Sequence, residues 1–561
     1  VPSDPTSLPS DEVNTVYEDS AHRLWVGTAA GLALLDRERA SFDVYRRDPA
    51  DVTSLPDDHI VSLFEDRGGL LWVGTQFGGV AKWNPRTWSF GHHAASPEEG
   101  AAARNITSFA EGADGRLWVG TFGGGIRRVD RTTGRVTVLK QGPGGLTDDR
   151  VMVLLADRDG AMWAGTMAGG LNRIESDTDR VTVYRHDPAD PHSLPAQTIA
   201  SLLRDSRDRI WVGTFGGGLA RFDRETGRFV RYAPDPGNPV RLAGGRITAL
   251  AEDRSGYIWV GTEGAGLHVL DPSTGRFHRL PHDPRDPDSL ASDTVYTIFV
   301  DAAGTVWVGT RGGGLDRVIG SSSNPRSIRF ANLSEKDGLA NDTIYGIRQD
   351  SSGRLWLSTN YGLARVDPLS GEIRTFHRAH GLQAEEFNFG AHYSNAAGEL
   401  FFGGPNGYNV FDPHRLQFGN RAPPVVLTSF LKLNRPAGTG PYEAIRSLHL
   451  DHRDDVVTFE FAALDFTEPH ANRFRYRLEG FDHDWIDAGT ERRATYTRLP
   501  GGRYRFRVQA ASPDGVWNED GLSIDVEVEP PPWASWWART AYALLALLLV
   551  GAAWFAHRRT L

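Results

Sequence analysis

The 561-residue chain contains no cysteine, only three methionines and only four lysines (Lys82, Lys140, Lys336 and Lys432). The first absence excludes disulfides, a thiolate nucleophile and any Cys-ligated zinc or iron–sulfur site. With so few lysines, almost all the basic charge is arginine, a bias that points to a GC-rich bacterial genome and not to a particular chemistry. Positive charge is itself in deficit, 61 Lys and Arg against 71 Asp and Glu for a net −10, so a phosphate-binding surface and a nucleic-acid partner are not expected. The G-x-x-x-x-G-K-[ST], G-x-S-x-G and H-E-x-x-H patterns are also missing, and nothing in the chain calls for a cofactor or a metal. What is present is 63 Gly, 32 Pro and 16 Trp in a chain that is 40% hydrophobic and 24% charged, the composition of a folded protein with many short strands and tight turns.

A segment L-W-V-G-T, or a close variant, recurs along most of the chain, its aromatic at Trp25, Trp72, Trp118, Trp163, Trp211, Trp259, Trp307 and Trp356, with Phe401 in the ninth place. A period near 47 is the size of a four-stranded propeller blade. In the Trp211 unit the strands read Thr198 to Asp205, Arg209 to Thr214, Leu219 to Asp223 and Arg228 to Tyr232, with a turn at Phe215 to Gly218 where glycines tolerate positive φ. The repeated Trp is expected to fill the gap between adjacent blades. Between blades a second phrase recurs, as in DPADPHSLPAQTI before Ala200, and the N-terminal VPSDPTSLPSDEV matches its end. With no signal peptide before Val1, a preceding segment of the full protein is expected.

Propellers close with about 4 to 8 blades, so nine copies imply two rings. The connection from Gly91 to Arg104 lacks the SLP phrase and marks the expected boundary. The reading is therefore all-β: two blades of a truncated first propeller over 1–100, a seven-bladed propeller over 101–420 and an immunoglobulin-like β-sandwich over 421–530, where the period gives way to alternating strands such as Val456 to Phe466, Arg473 to Phe481 and Arg503 to Ser512. A transmembrane helix over 536–556 follows, and 557–561 begins a cytoplasmic segment. The uncharged run Thr540 to Ala556 is flanked by Trp533, Trp536 and Trp537 on one side and His557, Arg558 and Arg559 on the other, which orients the propeller outside the cytoplasm. The chain is expected to continue beyond the helix into a cytoplasmic domain.

The glycine clusters (Gly123 to Gly125, Gly216 to Gly218, Gly312 to Gly314) lie between two strands, not before a helix, and so do not form a phosphate loop. Acidic pairs such as Asp157 and Asp159 sit at hairpin turns, where carboxylates cap backbone N–H groups. His92 with His93, and His449 with His452, read as surface residues. Ligand recognition rests on the loop position after G-T or S-T, where the residue changes from blade to blade: Phe122, Met167, Phe215, Glu263, Arg311 and Asn360. Arg150 and Arg246, at the start of two inner strands, add donors for an anionic ligand. A face of this kind suits a small polar molecule or an oligosaccharide; the alternative is a solvated rim. A propeller enzyme needs an acid and a base at the channel mouth, and Glu263 is the only carboxylate in this set.

The L-W-V-G-T…G-G-L pattern resembles the two-component regulator propeller repeat. The segment Glu385 to Pro413 is similar to the last blade of such proteins, and RYRLEGFDHDW…RRATYTRLPGGRYRFRVQAASPDGVWN resembles the triple-tyrosine sandwich domain, with Tyr476, Tyr496 and Tyr504 at the eponymous positions. The resemblance implies a bacterial sensor of the inner membrane, with a periplasmic ectodomain coupled through one helix to a cytoplasmic output. That output is most often a histidine kinase and in other members a diguanylate cyclase. A homodimer is expected, because a single helix transmits a signal most simply by moving against a twin. A membrane-tethered interaction scaffold is the remaining alternative. The chain departs from the family pattern in having nine blades and no output domain.

Overall fold

Each L-W-V-G-T segment is the second strand of an antiparallel sheet, and its residue order dictates how blades stack. In Ile210–Thr214 all five residues are buried, and Trp211 packs with Leu219 of its own blade and Ile247, Ile258 and Val260 of the next, so the indole fills the space between blades. Gly213 has no room for a side chain: a Cβ there would meet Ser201 Oγ of the facing strand and Ile247 of the next blade. Thr214 Oγ1 donates to Gly218 O at 2.7 Å, closing the hairpin to the third strand, and Gly218 holds φ near 87°, where a Cβ would run into Tyr232 O.

A second bond fixes the indole. Six residues before the Trp stands an Asp whose Oδ2 accepts from the Trp Nε1, as in Asp157–Trp163 (2.8 Å), Asp205–Trp211 (2.8 Å), Asp253–Trp259 (2.8 Å), Asp301–Trp307 (2.9 Å) and Asp350–Trp356 (3.0 Å). The other carboxylate oxygen closes the turn, Asp205 Oδ1 accepting from Arg207 N and Arg209 N. The carboxylates therefore cap the turn and also hold the indole. In the Trp118 blade Gly112 takes this place, and the Trp118 Nε1 is buried without a partner.

This computed structural model describes all residues except 1–3, 5, 38–39, 49–53, 85–89, 97–98, 417–421, 438–440, 514, 535 and 561; the expected segment ends at 420, 421 and 561 lie outside the described residues. Two units are present, Arg86–Gln417 and Val1–Pro85 with Phe418–Leu561. The first is a ring of seven four-stranded sheets. Its last sheet takes three strands from His392–Ser394, Leu400–Gly404 and Gly407–Phe411 and its fourth from His92–His93, which pairs with Tyr408 and Asn409. The ring thus begins upstream of the boundary expected at 100, because closure draws a strand from the segment read as a connection.

In the second unit, Val13–Glu18, Leu24–Thr28, Gly31–Asp36 and Ser41–Tyr45 form one blade, and Ile60–Glu65, Leu71–Thr75 and Val80–Trp83 form a three-stranded second one. The sandwich pairs a four-stranded sheet with a five-stranded one around Phe430, Phe459, Phe461, Phe474 and Phe506, with Phe459 and Phe506 stacked at 4.0 Å. Tyr496 donates to Asp482 Oδ2 at 2.7 Å, the oxygen that also accepts from Leu478 N, and Tyr504 donates to Pro500 O at 2.9 Å. The Tyr476 ring meets Tyr496 edge-on at 6.2 Å. The chain closes in a helix, Trp536–Thr560, in which the 20 residues Trp536–Phe555 have a mean hydropathy of 1.6; at 1.5 Å per residue they span about 30 Å, long and apolar enough to cross a bilayer.

Candidate functional site at the ring channel

The six loop residues singled out in the sequence occupy equivalent places. Each donates its backbone N–H to the carbonyl just before the inner strand of its own blade: Phe122 to Asn105, Met167 to Arg150, Phe215 to Thr198, Glu263 to Arg246, Arg311 to Thr294 and Asn360 to Thr343. They therefore line one end of the channel, one from each of six of the seven blades. Phe122 and Met167 are about one-third exposed, at 36% and 38%, and Arg311 and Asn360 are exposed.

The two arginines are already engaged. Arg150 meets Asp148 through two bonds of 3.0 Å, Nε to Oδ1 and Nη2 to Oδ2. Arg246 Nε lies 2.8 Å from Glu263 Oε2, and its guanidinium sits over the Phe215 ring at 5.0 Å. Each charge is balanced by a neighbour, so these two rim arginines offer hydrogen-bond donors but little net field for an anion.

Below this rim the inner strands enclose a cavity of about 390 Å³. The sequence reading missed its walls, which come mostly from inner-strand side chains, with Phe389 and Gly390 added from the turn before His392. Tyr296 lines it near the rim, stacked on Tyr345 at 5.6 Å and packed on Phe389 at 5.4 Å, and Tyr345 donates to Asn360 Oδ1 at 3.3 Å. Burial raises the Tyr345 phenol, helped by Glu386 and Tyr296, so it stays a donor. The available signal was DTVYTI and DTIYGI, which carry tyrosine where four other blades have Thr107, Met152, Ala200 and Thr248.

Two cation-capable groups line the same cavity. Arg348 donates Nη2 to His392 O at 3.0 Å and its Nε is buried without a partner; burial pushes its guanidinium down to about 10. Burial, with Arg348 adding repulsion, holds His392 well below the usual imidazole range, so the ring is neutral, and its Nδ1 has no partner. Ser108 Oγ and Ser201 Oγ are likewise buried and unpaired. Tyr393, raised to about 12 by burial and Glu111, donates to Glu111 Oε2 at 3.4 Å.

A seven-bladed ring with a polar-lined channel, two further blades, a β-sandwich and one apolar helix define a propeller-and-sandwich chain. The two component regulator propeller model matches residues 7–30, 54–77, 100–123, 193–216, 241–264, 289–312 and 338–361, and the Y_Y_Y domain matches 465–529. The chain thus carries seven matches to the two component regulator propeller repeat, with a Y_Y_Y domain after its ring. It is similar to the histidine kinase P4 of Formosa agariphila, 31% identical over 194 residues, which are 33% of this chain and 14% of that protein. The chain thus spans about a seventh of the length of that relative. In fold it is similar to the extracellular domain assigned to the hybrid two component system BT3049 of B. thetaiotaomicron, with a TM-score of 0.72 at 22% identity over 93% of this chain and 73% of that one.

Proposed function

We propose that this chain is the signal-receiving region of a membrane-spanning two-component receptor. On this reading the seven-bladed ring binds an extracellular small molecule or oligosaccharide at its loop end and channel, and the sandwich and the apolar helix carry the change to a cytoplasmic histidine kinase. The observation that carries it is the joining, in one chain, of regulator propeller repeats, a Y_Y_Y domain and a helix able to cross a bilayer. The propeller and sandwich lie in the periplasm, and the helix crosses the inner membrane with His557 and Arg558 on the cytoplasmic side. A ligand shifts the receptor only through its unequal affinity for two arrangements, here of a homodimer.

The test is made in membranes, with the receptor joined to its kinase. Autophosphorylation is measured with and without oligosaccharides and small metabolites, then again after removal of 86–417. A ligand-dependent change that the deletion abolishes is the expected result. Kinase activity that neither any ligand nor the deletion alters would overturn the reading.

A further inference from the structure

The Trp356 blade inverts a pattern that the other blades keep. Elsewhere the glycine of W-V-G-T or W-A-G-T faces a side chain on the inner strand: Gly120 faces Ser108, Gly165 Val153, Gly213 Ser201, Gly261 Ala249 and Gly309 Thr297. In W-L-S-T the serine, Ser358, faces Gly346. The space left on the inner strand is taken by the His392 ring of the next blade, which would lie 2.4 Å from a Cβ at Gly346. Its Nε2 thereby reaches to within 3.5 Å of Thr297 Oγ1 of the blade beyond.

The next position but one breaks the pattern again. Facing the blade Trp, the inner strands carry Ala110, Leu155, Leu203, Ala251 and Phe299, and in this blade Arg348. A guanidinium is costly where five sister blades place an apolar group, and no carboxylate forms an ion pair with Arg348 among the described residues. Two neighbouring inner strands thus carry a cation and an imidazole, each with a buried nitrogen unpaired, in a cavity whose lining also includes Ser108 and Ser201, their hydroxyls buried and unpaired against Gly120 and Gly213.

We propose that the channel of the seven-bladed ring is a binding site for a small organic carboxylate bearing hydroxyl groups, with Arg348 as its ion-pairing residue and His392 and the two serines as its hydrogen-bond partners. The guanidinium satisfies a carboxylate with charge-assisted bonds, the hydroxyls meet the unpaired serines, and the Tyr296 ring offers a face to the carbon skeleton. The cavity, about 390 Å³, suits a molecule of monosaccharide size. Glu111, also in the lining, disfavours a dianion. This rests on the reading of the ring channel as a ligand site and names the class of ligand, and it needs no kinase output.

The full chain in detergent is titrated calorimetrically with galacturonate, gluconate and lactate, and with galactose as the uncharged control. Saturable binding of at least one acid, at least tenfold tighter than galactose, is expected; Arg348→Gln should weaken it at least tenfold, and Arg228→Gln, on an outer strand, should leave it unchanged. Ser201→Ala removes a hydroxyl that makes no bond in the protein, so it keeps the fold and should weaken binding severalfold, which preserves the test if Arg348→Gln does not fold. No acid-selective binding, or acid binding indifferent to Ser201→Ala and to Arg348→Gln where that variant folds, overturns the proposal. Acid binding without any effect on a kinase refutes the sensor reading and leaves this one standing.

Discussion

Replacing Asp316 by Asn should stabilise the ring at neutral pH and lose that effect in acid. Asp316 lies on the third strand of its blade, fully buried, and Oδ2 accepts from Ala291 N at 3.0 Å while Oδ1 accepts from Asn332 Nδ2 at 3.1 Å. Burial outweighs these bonds and the pull of His282, and raises the carboxyl to about 6. An acid with a raised folded value is bound more tightly to its proton in the fold than in the unfolded chain. Its penalty is therefore absent below about 4, grows as pH rises towards 6, and is complete above 6. About two pH units at 1.4 kcal/mol each give about 3 kcal/mol as the upper bound at pH 7.5. Asn172 and Asn409 already do this task in two sister blades, accepting from Thr147 N and Gln383 N, so the amide fits the frame. Tryptophan-fluorescence melts from pH 4 to 8 should show Asp316→Asn melting several degrees higher at pH 7.5, with the gap closing towards pH 4. A gap of constant size, or a variant less stable at pH 7.5 than at pH 4 relative to the parent, would refute the electrostatic account.

The opposite sign is expected at His268, whose Nε2 accepts from Ala243 N at 3.2 Å and whose imidazole burial pulls down to about 3. The unfolded chain takes up this proton below about 6.5 while the folded one does not, so stability falls with acidification. His268→Asn should flatten the pH profile by about 2 kcal/mol between pH 6.5 and 5, read in the same melts. Trp211→Phe should cost about 1 to 2 kcal/mol more than Trp118→Phe in denaturant titrations, because only the former breaks a bond to a buried Asp. Equal costs would deny that bond a share in blade stability. In the sandwich, Tyr496→Phe removes a 2.7 Å bond to Asp482 and should cost about 1 to 2 kcal/mol, measured as a lower melting point at any pH from 6 to 9. The phenol does not titrate there, since burial and Asp482 raise it far above its usual value.

The blades were legible because each repeats the same solution. A Trp between sheets, a Gly beneath a facing side chain and a Thr closing the hairpin are local demands met within one period, so they recur in sequence. Closure of the ring was not legible, because His92–His93 contributes only two residues and no apolar alternation. Its pairing with Tyr408 and Asn409 depends on residues more than 300 positions away. The Asp–Trp bond was half legible. The regular Asp marked a turn, but its second oxygen turns inward to the indole, which only the three-dimensional path reveals.

The rim residues vary outside the repeat's motif, so they stand out in the sequence. Channel walls vary inside the motif. Gly346 and Ser358 are a coupled exchange across two strands: a larger residue on one demands a smaller one on the other, since both face the same gap. Taken singly, W-L-S-T is a tolerated variant of W-V-G-T, and Y-G-I is an ordinary inner strand. Taken as a pair, they move volume from the inner strand to the second, and the freed space admits His392 from the next blade. Arg348, two residues on, then stands beside that histidine with its Nε unpaired. A repeat protein builds specificity by breaking its own pattern at facing positions, so an aligned reading of both strands would have located these groups where a search of one strand could not.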